Sequence, residues 1–414
     1  MKRILFYVAV LITPAFLASR ALGQAPNISY SSSVNIFTVG SSISALTPTN
    51  TGGAVPANTY ATVSTWAGNT SGNSGRTNAT GNSARFTTPR WMTLDGAGNM
   101  YVADAGNNEI RRIVVSSASV ALLAGSSTGS SGTTNASGSA ARFNGPYAIT
   151  CDGSGNLYVA DFNNNEIRKV VVSTMSTTLL AGSTSGNTGT TNGTGGSARF
   201  NQPAGIVYDP VNNYIYIADF GNNQVRRMTM GGSVTLFAGS ATGASGSTDG
   251  TGSGATFNGP NGIAVDASGN VYVADQNNNE IRMITPAGVV TTIAGSTTAG
   301  SADGVGTAAS FSTPSGVDLD VSGNIYVTDR GNYLIRMITP AGVVTTVAGT
   351  GSSALTNGVG TAAAFSDIRG LTVDQTSGDI YIADYSNNVI RRMIGTGYTI
   401  SPALPAGLSF NSAT

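Results

Sequence analysis

Short apolar runs separated by Gly, Ser, Asn and Pro recur along this chain. One stretch shows the pattern cleanly, with runs at 262–266, 271–275, 280–284 and 289–294. They are rich in Val, Ile, Tyr and Thr and bounded by turn residues, which predicts four β-strands and no helix. Between the first two lie Asp266, Ala267, Ser268, Gly269 and Asn270, a hairpin turn with glycine where φ is positive. Pro286, Ala287 and Gly288 make the turn between the outer two.

The same arrangement appears six times. Its marker, Tyr-x-x-Asp, starts at Tyr101, Tyr158, Tyr216, Tyr272, Tyr326 and Tyr381, with spacings of 57, 58, 56, 54 and 55 residues. Such a period marks an array or a propeller. A lone four-stranded sheet cannot bury both faces, whereas radial stacking of several does. A second series of strands ends in Ala-Gly, at Gly68, Gly125, Gly182, Gly239, Gly295 and Gly349. The two series are out of phase, because 63–68 precedes the first full repeat and nothing like it follows Met393. The sequence therefore predicts an all-β, six-bladed β-propeller, closed by an N-terminal strand that completes the last blade and removes open edges.

These repeats resemble NHL repeats. The carriers are the Pro-x-Gly-(Ile/Val)-x-(Val/Leu)-Asp stretches and Tyr-Val-Ala-Asp-x-x-Asn-Asn-x-Ile-Arg; the resemblance covers 62–393 and is cleanest from Pro260 to Arg282. It implies a propeller. On function it is broad, since the family includes ligand sensors, protein- and RNA-binding platforms and a few lyases. The flanks carry another resemblance. Residues 28–55 look like the opening strands of a bacterial Ig-like module, and 398–410 like its continuation, breaking off before Thr414. The expected organisation is a signal peptide at 1–23, the first part of an Ig-like module at 24–58, the propeller at 59–395, and the Ig-like continuation at 396–414. A closed ring brings its termini together, so insertion within another domain is easy.

Composition narrows function more than fold. The chain has 20 basic and 20 acidic residues and no net charge, which argues against nucleic acid. Lys2, Arg3, the apolar run 4–18 and small residues at 21–23 read as a secretory signal, with no membrane span left after cleavage. The expected location is extracellular or at the cell surface, and the propeller is expected to be monomeric. The sole cysteine, Cys151, forbids an intrachain disulfide and aligns with apolar strand positions, which predicts a packed thiol. There is no histidine, so Ser-His-Asp catalysis and histidine-ligated zinc are out.

Two sets of residues are candidates for site roles. The first is shared by every repeat: Asp104, Asp161, Asp219, Asp275, Asp329 and Asp384, with Arg111, Arg168, Arg226, Arg282, Arg336 and Arg391 seven residues on. Repetition argues for a structural job, with each Asp accepting N–H bonds in the following turn and each Arg pairing with a carboxylate. A ring of such Asp at a channel mouth would also suit Ca²⁺. The second set breaks the rule. The residue after the interblade Pro is Arg90, Tyr147, Ala204, Asn261, Ser315 and Arg369, with Ile368 replacing Pro in the last copy. Arg90, Trp91, Tyr147 and Arg369 are the candidate ligand-binding residues, a combination suited to an anionic or sugar-like ligand. The long loops, such as 68–85, 125–142 and 182–199, are the other place where binding would concentrate. The reading favours a binding or structural module for an extracellular protein or glycan, without catalytic residues or cofactor. The alternative is a Ca²⁺-dependent lactonase or lyase.

Overall fold

The structure, a computed structural model, describes residues 62–394 and two short strands outside them, Ile28–Ser29 and Thr49–Asn50, which pair antiparallel. The rest of the flanks lies outside the described residues, and with it the signal segment and most of both Ig-like stretches. The chain divides into a unit spanning Tyr60–Gly395 and a second made of Met1–Thr59 with Thr396–Thr414. No helix among the described residues is long and apolar enough to cross a membrane.

Six antiparallel sheets make up the propeller unit. Blade one runs Pro89–Leu94, Asn99–Asp104, Glu109–Val114 and Ser119–Gly125, from axis to rim. Blades two to five begin with Pro146–Cys151, Pro203–Asp209, Pro260–Val265 and Pro314–Leu319, and blade six with Ile368–Val373. These six innermost strands touch their neighbours in a closed cycle, the sixth meeting the first. Blade six has Thr62–Ala67 at its outer side, antiparallel to Val389–Ile394, with Thr62 opposite Ile394 and Ala67 opposite Ile390.

The core lies between blades. In Asn99–Asp104, Met100 and Val102 pack towards blade six with Phe86 and Tyr381, while Tyr101 and Ala103 pack towards blade two with Ile149 and Leu157. Both faces of a blade are thus covered. This explains why the second strands read as continuous apolar runs rather than as alternation.

The long loops do more than connect. In blades three to six a two-residue strand from the preceding loop adds to the rim: Gly193–Thr194, Gly250–Thr251, Gly304–Val305 and Gly358–Val359. Blades one and two have single bridges there instead, Thr80 to Ser119 and Ser137 to Ser176. A tight 3-10 turn then leads back to the axis, as at Gly195–Ser197. The sequence pointed to four strands per blade and to loops that are either spacers or binding elements. The loops instead cover the exposed rim edge, where unpaired backbone would template association.

Asparagines staple consecutive blades. Asn108 accepts from Gly145 N–H at 2.8 Å and donates to Gly129 O at 2.9 Å. Asn165, Asn223 and Asn279 accept likewise from Gln202, Gly259 and Thr313. Asn388 carries the staple from blade six to blade one, accepting from Thr88 N–H at 2.8 Å. Each sits in the left-handed region, φ 53–56°, which asparagine tolerates. Tyr333 takes this position in blade five at φ 56°, so the step to blade six has no such staple.

Candidate functional site

Each repeated Asp and Arg forms a buried latch within its own blade. Arg282 Nη1 donates to Asp275 Oδ2 at 2.9 Å and to Thr256 O at 3.2 Å; Nη2 donates to Thr248 O at 3.2 Å and Asp249 Oδ1 at 2.6 Å. The guanidinium lies over Phe257, 5.2 Å from its centroid. Asp275 Oδ1 accepts from Asn258 N–H at 2.7 Å, and Oδ2 also from Asn278 Nδ2 at 2.7 Å. The other five blades repeat this, with Arg–Asp distances of 2.9–3.0 Å and side chains fully buried. The turn assignment for the Asp needs correcting, because the backbone donor comes from the loop preceding the blade, not from the following turn. The Asp carboxylates are therefore occupied inside the blades and form no ring at the mouth. Among the described residues no group of three acidic or thiol side chains is placed to hold a metal ion.

Burial pushes Asp104, Asp161, Asp219 and Asp384 up to about 6 and Asp275 to about 7, against the pull of the paired arginines and hydrogen bonds. Glu109 and Glu166 are pushed by burial to about 7. An acid whose folded pKa is raised keeps its proton where the unfolded chain, near 4, has released it. Stability is therefore expected to fall as pH rises from about 4 to about 7, and to level off above. Urea midpoints at pH 5 and pH 8 check this, and Glu109→Gln with Glu166→Gln is expected to flatten part of the slope. A midpoint that rises with pH would contradict it.

The irregular residues converge at the axis, on the loop-bearing face where each innermost strand begins. Arg90 stacks 4.4 Å from the Tyr147 ring centroid, and 5.5 Å from those of Phe162 and Tyr385. Arg369 lies 4.6 Å from the Tyr385 centroid and donates to Asp367 Oδ2 at 2.9 Å. Arg330 Nε donates to Asp367 Oδ1. Tyr147 stacks on Phe162 at 5.0 Å, and Phe162 meets Phe220 at 6.5 Å. Asn261 Nδ2 donates to Tyr147 Oη at 2.8 Å and to Gln276 Oε1 at 2.6 Å.

Trp91 stands apart from the other three. Its side chain is 5% exposed and lies among innermost strands. A Cβ added at Gly262 would come within 2.8 Å of its ring, and one at Gly370 within 2.5 Å. Those glycines belong to blades four and six, so the indole spans the axis and fills the channel below the mouth. Gly205 and Gly316 are equally tight, approaching the backbone of the next blade. Trp91 is thus the floor of the site rather than part of its exposed wall.

Sequence reasoning missed a second ring of positions, the residue directly after each repeated Asp. It is Ala105, Phe162, Phe220, Gln276, Arg330 and Tyr385. These vary as freely as the residues after Pro, and that shared irregularity was the available signal. Asp367, just before the blade-six strand, was missed too. Cys151 is only partly buried; its thiol donates to Leu94 O at 3.1 Å, and burial raises its pKa. It lines a shallow depression of about 240 Å³ on the opposite face, between blades one and two, with Asp95, Tyr101 and Arg112. The mouth brings more irregular side chains together and is the better candidate.

The family model for the Teneurin NHL domain matches residues 124–306, and that for the NHL repeat matches 311–336. The chain is 30% identical over 281 residues to Protein SUPPRESSOR OF QUENCHING 1, chloroplastic, of Arabidopsis thaliana, covering 64% of this chain and 26% of that protein. It is 30% identical over 168 residues to human NHL repeat-containing protein 2, covering 37% and 22%. The chain therefore spans about a quarter of the length of these relatives. Among solved structures, an auxiliary nutrient binding protein from Bacteroides thetaiotaomicron superposes with TM-score 0.60 at 17% identity, over 84% of this chain and 79% of that one. That likeness is one of fold. The propeller is an NHL-repeat domain.

Proposed function

We propose that this NHL-repeat propeller is a binding module, working outside the cell or at its surface, whose ligand sits in the mouth of the plugged channel. One observation carries the reading. Arg90 is half-buried against three aromatic rings, yet among the described residues it has no hydrogen-bond acceptor and no ion pair. The latch arginines also stack on rings, but each is tied to a carboxylate. A guanidinium kept among rings without one suits recognition better than stability. The expected ligand is a glycan or a surface protein. Glycan and surface-protein arrays probed with the full chain and with Arg90→Ala test this. Signals that the variant loses support it, and an intact chain that stays silent on both arrays sinks it.

We also propose that Thr62–Ala67 is the closure that holds the ring together in solution. Its pairing with Val389–Ile394 supports this, as do buried Val63 and Ala67 and the Trp66–Tyr381 ring contact at 4.7 Å.

A further inference from the structure

We propose that the mouth takes an acidic sugar, a pyranose unit bearing a carboxylate. The proposal rests on the binding reading above and names its ligand class. The mouth divides into three arcs around the axis. Blades five, six and one supply three guanidinium groups, on Arg330, Arg369 and Arg90. The acid among them is Asp367, and both its oxygens are spent, on Arg330 and Arg369. Arg90 is left over, and so the arc carries more positive than negative charge. Arg90 and Arg369 flank one ring, Tyr385, with guanidinium carbons 5.5 and 4.6 Å from its centroid. Both also have a buried Nε–H without an acceptor. The latch arginines share that unpaired Nε, so it does not discriminate by itself. What discriminates is that Arg90 has no acceptor on any of its nitrogens among the described residues. A planar guanidinium matches a carboxylate in two-pronged fashion.

The second arc is apolar. Phe162 and Phe220, from blades two and three, are half-buried in a row with Tyr147. Ala204 beside them adds nothing polar. Aromatic faces of this kind suit the C–H face of a pyranose or another flat apolar surface. The third arc, from blades four and five, is neutral and polar. Asn261 is 1% exposed and Ser315 0% exposed, yet Asn261 Oδ1 and Ser315 Oγ have no partner. Buried polar atoms are normally satisfied. An unpaired neutral acceptor on blade four and an unpaired hydroxyl on blade five, beside the cationic arc, fit sugar hydroxyls better than a second charge.

The test is calorimetry on the full chain with glucuronate and galacturonate, set against glucose, galactose and benzoate. Both uronates, or one of them, are expected to bind. The neutral sugars and Arg90→Met are each expected to weaken binding by about tenfold or more, the usual effect of losing a charge-assisted contact. Benzoate is expected to bind more weakly than a uronate, because it meets no hydroxyl partner. Glucose binding as well as glucuronate would overturn the carboxylate, and benzoate matching glucuronate would overturn the sugar. Neither result touches the binding reading, which fails if the intact chain stays silent on both arrays. Thermal unfolding of unliganded Arg90→Met is a separate measure. An equal or higher melting temperature is expected on removing an unpaired cation. A clear drop would make Arg90 a structural residue and overturn the proposal.

Discussion

Deleting residues 62–68 is expected to lower the melting temperature by on the order of 10 °C or more. The segment supplies the whole outer strand of blade six, including the ladder from Thr62 opposite Ile394 to Ala67 opposite Ile390. Losing it exposes Val63 and Ala67, which are fully buried, and uncovers Tyr381, against which Trp66 packs. It also strips the partner from Gly358–Val359 and leaves Asn357 Oδ1 without Thr65 N–H. Several backbone hydrogen bonds and at least two apolar side chains are lost together. At about 1 kcal/mol per bond plus burial, the cost is about 5 kcal/mol or more, against a usual domain margin of about 5–15. A bare edge on Val389–Ile394 is also expected to promote association. Calorimetry and light scattering read both effects, and an unchanged melt would refute the closure.

Asp275→Ala is expected to cost about 3–5 kcal/mol, because it removes the fully buried partner of a buried guanidinium. Arg282 is fully buried, and Asp275 is its fully buried counter-charge at 2.9 Å; Glu280 lies farther off at 3.7 Å, and Asp249 is half-exposed at the blade edge. The comparison that isolates the charge is Asn278→Ala. That change removes a neutral donor to the same carboxylate and is expected to cost about 1 kcal/mol. Replacing both members, Asp275→Leu with Arg282→Met, is expected to recover part of the loss, since neither charge is then left alone. Urea unfolding of the parent and the three variants at pH 8, where Asp275 is ionised, gives the comparison. An Asp275→Ala variant within about 1 kcal/mol of the parent would mean the latch is water-accessible and the burial argument is wrong.

Much of the propeller was legible because its pattern is repeated. The strands expected in the fourth copy, 262–266, 271–275, 280–284 and 289–294, match Pro260–Val265, Val271–Asp275, Glu280–Ile284 and Val289–Gly295 closely. The rim strands were not legible. Gly193–Thr194 and its counterparts lie in polar, glycine-rich loops with no apolar period, and their pairing is set by the blade they meet. Within the site, Arg90, Tyr147 and Arg369 stood out as departures from a column, and the structure brings them together at the mouth. Phe162, Phe220, Arg330 and Tyr385 follow the Asp that ends each motif and read as the first residues of a turn. Only closure of the ring shows that both columns open on the same axis. Trp91 shows the limit from the other side. It was legible as an exception, but only the glycines of blades four and six, brought across the axis, show that it is a plug.

The loop before each blade belongs to that blade. It furnishes the rim strand or, in blades one and two, a single bridge, together with the Asn or Asp that meets the latch arginine and the ring beneath that arginine. The natural unit therefore runs from one Ala-Gly to the next, and the chain is a circular permutation of six such units, cut one strand early. Of the propeller's strands, Thr62–Ala67 is made first and Val389–Ile394, with which it pairs, last. Five blades can form in order as they emerge, while the sixth is held back to the last strand. On the closure proposed above, a chain that ended before Val389 would leave Thr62–Ala67 without its partner strand.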